Sequence, residues 1–179
     1  MARQLWLLRH AEAERHGTRE DSERRLTGRG ELQARLAGRA LSELDASFDA
    51  VLYSPKVRAR QTAQLAAAGW EESARERLEV HPPLAGGFGA SAALEALRGH
   101  GRTAHVLLVG HEPDLSGVIG ALTGARVELK KGGLALVRLE GASGVLALLM
   151  RPREVALIAD GGGVGHDGGL SAVAGPRGR

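Results

Sequence analysis

Short unbroken apolar runs alternate along this chain with segments whose apolar residues recur every three to four positions. Nothing else in the sequence restricts the fold as much. Gln4-Leu5-Trp6-Leu7-Leu8, Ala50-Val51-Leu52-Tyr53 and His105-Val106-Leu107-Leu108-Val109 have the pattern of strands buried on both faces of a sheet. Between the first two, Leu32, Leu36, Ala40 and Leu44, beside Ala37 and Leu41, predict an amphipathic helix from residue 27 to 44 with Thr27 as its N-cap. Ser54-Pro55 predicts an N-cap and a proline at the first helical position of a second helix, closed by Gly69. Leu78 to Val80 fits a short edge strand ended by Pro82-Pro83, Ser91 to Arg98 a helix, and Leu115 to Thr123 a helix closed by Gly124. Leu134–Leu139 and Val145–Met150, around Gly141-Ala142-Ser143-Gly144, predict a hairpin. Residues 152–159 fit a helix and a strand equally. The expected fold is an α/β three-layer sandwich: a mostly parallel central sheet, helices on both faces, and an antiparallel edge hairpin.

At 179 residues the chain suits one domain with a sizeable core. The last twenty residues contain eight glycines and no periodicity. We therefore expect a folded domain over residues 1–159 and a Gly-rich flexible tail over 160–179. The absence of cysteine excludes a disulfide framework, a zinc-thiolate site and a cysteine nucleophile. Five aromatic residues in the whole chain (Trp6, Phe48, Tyr53, Trp70, Phe88) argue against a stacking platform for nucleic acid. No apolar stretch is long enough to span a membrane, and residues 1–5 lack the features of a signal peptide, so a cytoplasmic protein is expected.

In open parallel sheets, ligands sit beyond the carboxyl ends of the strands. After the first strand comes Arg9-His10, after the second Ser54-Pro55-Lys56-Val57-Arg58, and after the third Gly110-His111-Glu112-Pro113. Three separate strand ends thus bring two histidines and two arginines to one edge. All but three of the 24 basic residues are arginine, whose planar fork suits phosphate oxygens. High-GC codon usage would produce the same bias, so position rather than composition carries the argument.

These segments resemble the histidine phosphatase superfamily. Leu7-Leu8-Arg9-His10-Ala11-Glu12 is similar to its Arg-His signature, with Ala11 where the largest branch has glycine and many SixA-type members do not. Ser54-Pro55-Lys56-Val57-Arg58-Ala59-Arg60-Gln61-Thr62 is similar to its second motif, and Val109-Gly110-His111-Glu112-Pro113 to its third. Arg24-Arg25-Leu26-Thr27-Gly28-Arg29-Gly30 resembles the Arg-Pro-Leu-Thr segment of SixA-type phosphohistidine phosphatases, with Arg25 in place of proline.

The resemblance implies His10 as a phosphoryl-accepting nucleophile, Arg9 and Arg58 as phosphate ligands and His111 as a further donor. Arg24, Ser54 and Gly110 are implied as substrate-binding, with no metal and no cofactor. Arg60, two places beyond Arg58 on its helix, is expected to face solvent. Phosphoglycerate-mutase-like members carry a glutamate that protonates the leaving oxygen. The corresponding stretch here, Leu84-Ala85-Gly86-Gly87-Phe88-Gly89, has no acid. The expected activity is removal of phosphate from phosphohistidine on a protein, such as a phosphotransfer domain. The alternatives are a small-molecule phosphomonoesterase and a non-catalytic phosphate-binding module; neither nucleic acid nor membrane is expected as a partner.

Overall fold

The computed structural model describes residues 3–161, so the tail expected over 160–179 lies, beyond Gly161, outside the described residues. Six strands form one sheet: β1 (Arg3–Arg9), β2 (Ala50–Tyr53), β3 (Leu78–Val80), β4 (His105–Gly110), β5 (Leu134–Glu140) and β6 (Ser143–Met150). Their order is β3-β2-β4-β1-β5-β6. The first three pairings are parallel, and β5 and β6 continue the sheet antiparallel, with β6 at the edge. The helices are α1 (Gly28–Glu43), α2 (Val57–Ala67), α3 (Glu72–Arg75), α4 (Ala90–Gly99), α5 (Asp114–Thr123) and α6 (Pro152–Ala159).

Two cores explain the unbroken apolar runs. Leu5, Leu7, Leu52, Val106 and Leu108 face one core with residues of α4 and α5. Trp6, Leu8, Val51, Leu107 and Val109 face the other with residues of α1, α2 and α6. Alternate side chains of each strand enter opposite cores, so the central positions are apolar and polar residues such as Gln4 and His105 stand only at strand ends. The three-layer sandwich is the observed fold.

Two close backbone approaches fix α1. A Cβ on Gly38 would lie 1.9 Å from the carbonyl oxygen of Ala66, which lets α1 cross tightly over α2. One on Gly30 would lie 1.9 Å from the carbonyl oxygen of Glu12, which seats the start of α1 on the loop after His10. Thr27 caps α1 as expected, its hydroxyl accepting from the Gly30 N–H at 3.1 Å.

The start of α2 differs from expectation. The helix begins at Val57 after an extended Lys56, not at Pro55, and Ser54 is not its cap. The Ser54 hydroxyl is instead engaged with His111. Residues 152–159 resolve as helix, with Pro152 in the first turn and Glu154 accepting from the Arg151 N–H at 2.8 Å. α3 was not foreseen, since four residues show no periodicity.

Candidate active site

β2, β4 and β1 are neighbours in the sheet, with Tyr53 opposite Val109 and Arg9 opposite Gly110. The expected strand-end residues therefore converge on one edge. The His10 N–H donates to the Gly110 carbonyl at 2.9 Å, and the Ser54 N–H to the Val109 carbonyl at 3.0 Å. Gly110 contributes through its backbone: a Cβ there would press on Leu84 and Leu115 at 3.3 Å.

The His10 ring is 5% exposed and its tautomer is fixed by its neighbours. Nδ1 lies 2.8 Å from the Ala11 carbonyl oxygen, which can only accept, so Nδ1 carries the ring proton. Nε2 lies 3.3 Å from Nε of Arg58, which can only donate, so Nε2 presents its lone pair. A second proton on the ring would oppose the Arg58 N–H. Burial foremost holds the His10 pKa down at about 3, while the Ala11 carbonyl, next in size, pulls it up. Repulsion that a charged His10 would meet from a charged His111, from Arg58 and from Arg9 adds to the depression.

The His111 ring sits 5.1 Å from that of His10, between centroids, and is 8% exposed. Its Nε2 is 2.7 Å from the Ser54 Oγ, and its Nδ1, buried, has no partner among the described residues. Burial first, then Arg58 and Lys56, bring its pKa to about 3.

Both rings thus stay neutral in the folded protein well below the ordinary histidine value of 6.5, while the unfolded chain protonates there. Between pH 6.5 and about 3 the unfolded state binds more protons, so stability falls as pH falls. Each ring should contribute a slope approaching about 1.4 kcal/mol per pH unit. His10→Asn is expected to remove about half of their joint contribution, as measured by urea unfolding at pH 6.5 and 5.

Arg58 is 4% exposed and Arg60 lies on the solvent side of α2, as expected. Arg9 donates from Nη1 to the Leu129 carbonyl at 2.9 Å, and its buried Nε has no partner among the described residues. Arg24 is also buried, but its bonds run to Asp21 and to the Glu14 carbonyl rather than to His10. Glu12 and Glu14 are tied into the same loops, by Thr27 and by Arg19 and the Arg25 N–H. Among the described residues no group of three or more ligating side chains comes together that could hold a metal ion.

Residues 5–84 match the model of the histidine phosphatase superfamily (branch 1). An uncharacterized protein of Picosynechococcus sp. is 34% identical over 155 residues, covering 80% of this chain and 89% of that one. The chain belongs to the histidine phosphatase superfamily. Among solved structures, the protein histidine phosphatase SixA complexed with tungstate matches with a TM-score of 0.71 at 27% identity, over 85% of this chain and 99% of that one. The α-ribazole phosphatase of Shigella flexneri shares the fold, with a TM-score of 0.61 at 23% identity over 83% and 96%. This superfamily member is SixA-like in fold and is a hydrolytic phosphatase acting on phosphorylated substrates. No helix among the described residues is long and apolar enough to cross a membrane.

Sequence reasoning missed three parts of this superfamily site. The Thr62 hydroxyl accepts from the Ala11 N–H at 3.1 Å and donates to the Arg58 carbonyl at 2.7 Å, tying the His10 loop to α2. Gln61 accepts from the Leu26 N–H at 2.9 Å. Both lie in the quoted motif, which could have flagged them. Asp21, which bonds Lys56 and Arg58 from the loop before α1, carries no signal in the sequence.

Proposed function

We propose that the protein removes the phosphoryl group from phosphohistidine on another protein, through a covalent intermediate on His10. The observation that carries this reading is the fixed tautomer of His10, whose Nε2 lone pair stands ready at neutral pH against the Arg58 guanidinium. In the first step Nε2 bonds to phosphorus and the substrate's P–N bond breaks, its imidazole leaving neutral once protonated. His10 keeps its Nδ1 proton on the Ala11 carbonyl, so the phosphorylated ring is cationic and is itself a good leaving group. Water then attacks phosphorus, orthophosphate departs, and the neutral ring returns.

On the edge facing His10, Arg58 has an unused Nη2 hydrogen beside the Nε–H that rests on His10 Nε2. Once Nε2 bonds to phosphorus, both would take phosphoryl oxygens as charge develops. With the Ser54 hydroxyl donating to Nε2 of His111, the free Nδ1–H of that ring would bind a further oxygen. Losing the Arg58 contact is expected to cost on the order of 10²–10³ in rate, by analogy with removal of a single oxyanion donor. Arg58→Ala should show that loss in kcat/KM, whereas Arg60→Ala should stay within a few-fold of wild type.

The similarity to a protein histidine phosphatase and the absence of an acid along residues 84–89 support a protein-borne imidazole as the leaving group. A cytoplasmic setting is in keeping with a chain without cysteine. The test is a substrate panel assayed with EDTA present: a phosphohistidine-bearing protein, phosphoramidate, p-nitrophenyl phosphate and alkyl phosphates. The phosphohistidine protein should rank first. An alkyl phosphate in first place would make the enzyme a small-molecule phosphomonoesterase.

A further inference from the structure

Asp21 lies in a single 3-10 turn, Asp21–Glu23, yet it is the meeting point of three cations from two parts of the chain. Its Oδ2 accepts from Nζ of Lys56 at 2.9 Å and from Nη2 of Arg58 at 3.2 Å. Its Oδ1 accepts from Nε and Nη2 of Arg24 at 3.1 and 2.8 Å. Its main-chain oxygen accepts from Nη1 of Arg58 at 2.5 Å. Asp21 therefore takes the whole Nη1–Nη2 end of the Arg58 fork, while Nε on the side edge rests against Nε2 of His10 at 3.3 Å.

We propose that Asp21 is the positioning residue of the phosphoryl site. Gripping the end of the Arg58 guanidinium turns its side edge, Nε and the second Nη2 hydrogen, onto the phosphoryl group carried at His10. This rests on the reading of His10 as phosphoryl acceptor and Arg58 as its ligand.

The asymmetry of burial supports the assignment. Arg24 and Arg58 are 5% and 4% exposed, while the Asp21 side chain is 46% exposed. A buried guanidinium takes whichever orientation satisfies its donors, and here both acceptors at the Nη1–Nη2 end belong to Asp21, while Nε meets only His10. Without the carboxylate, Arg58 would keep its charge, its place on α2 and the Nη1 bond to the Asp21 main chain, but lose the second of the paired contacts that fix its rotation. Lys56 would be released as well. The same carboxylate is a standing negative charge beside an anion site, a feature that phosphate affinity alone would not favour. Catalysis gains because a fork already aimed at the transition state needs no reorganisation.

A double-mutant cycle with p-nitrophenyl phosphate tests the proposal, using Asp21→Asn, Arg58→Ala and the pair. Asp21→Asn alone should lower kcat at least tenfold, and in the Arg58→Ala background it should change kcat less than twofold. Asp21→Asn within twofold of wild type would overturn the proposal. So would an undiminished Asp21→Asn effect on top of Arg58→Ala, which would show that Asp21 acts without Arg58. Should Asp21→Asn melt below the assay temperature, Asp21→Glu carries the same cycle, because it keeps the charge but displaces the carboxylate from the paired grip. Wild-type rates in Arg58→Ala or His10→Ala would instead overturn the underlying reading of the site, an outcome distinct from either failure of Asp21.

Discussion

Replacing His10 by alanine is expected to abolish turnover and covalent labelling together. Removing the nucleophile from a hydrolase that works through a covalent intermediate costs on the order of 10⁶ in kcat. The His10 position leaves no obvious substitute. Nε2 is the atom against which Arg58 is set, and the neighbouring His111 ring has its Nε2 committed to Ser54. After incubation with a labelled phosphoryl donor and an alkaline quench, wild-type protein should carry acid-labile phosphate, and peptide mapping should place it on His10. His10→Ala should carry none. His10 lies just beyond the paired residues of β1, and whether the variant keeps its fold is checked separately by the melting temperature. Persistent turnover in His10→Ala would rule out the covalent route.

The second large effect is a separation between substrates. A positioned general acid typically contributes about 10²–10⁴-fold. Three carboxylates of the loop between His10 and α1 are not free for this work: Glu12 accepts from Thr27, Glu14 from Arg19 and the Arg25 N–H, and Asp21 from three cations. Those cations hold the Asp21 carboxyl far below its ordinary range, Lys56 foremost, so it has no proton to give at neutral pH. An alkoxide could take no proton from any of these three carboxylates. Glu112, beside His111, is the remaining carboxyl to test: burial raises its pKa and its Oε1 has no partner among the described residues, so Glu112→Gln belongs in the same assay. A phosphorylated imidazole leaves as the neutral ring, and a phenolate is intermediate in stability. The expected order of kcat/KM is phosphohistidine or phosphoramidate, then p-nitrophenyl phosphate, then alkyl phosphates, with first and last separated by a factor of the same 10²–10⁴ size. Glu12→Gln and Glu14→Gln should leave the order unchanged. Hydrolysis of 3-phosphoglycerate at the phosphohistidine rate would reveal a donor at the site and replace a protein substrate with a small molecule.

Particular residues show why some of this was legible in advance. β1, β2 and β4 could be located because both faces of each strand enter a core, leaving no polar residue in the middle of the run. Arg9-His10, Ser54 and His111 could be placed at one edge because each follows such a run directly. The register of α2 could not. Ser54-Pro55 is a good local signal for a helix start, but the Ser54 hydroxyl has a stronger claim from His111, 57 residues away. Arg24 was expected among the substrate ligands, and the structure joins it to the site one step removed, across the Asp21 carboxylate.

The sequence by itself determined the alternation of strands and helices, the strand ends that carry Arg9, His10, Arg58 and His111, and the lack of an acid along residues 84–89. These are local properties: apolar periodicity, and the identity of the residue that follows a buried strand. The tertiary structure decided which nitrogen of His10 bears the proton, because that depends on Arg58 arriving from a helix 48 residues on. It also decided that Asp21 faces Arg58 across 37 residues. A hydrogen bond acts over about 3 Å of space and is indifferent to separation along the chain, so no pattern of neighbouring residues encodes it.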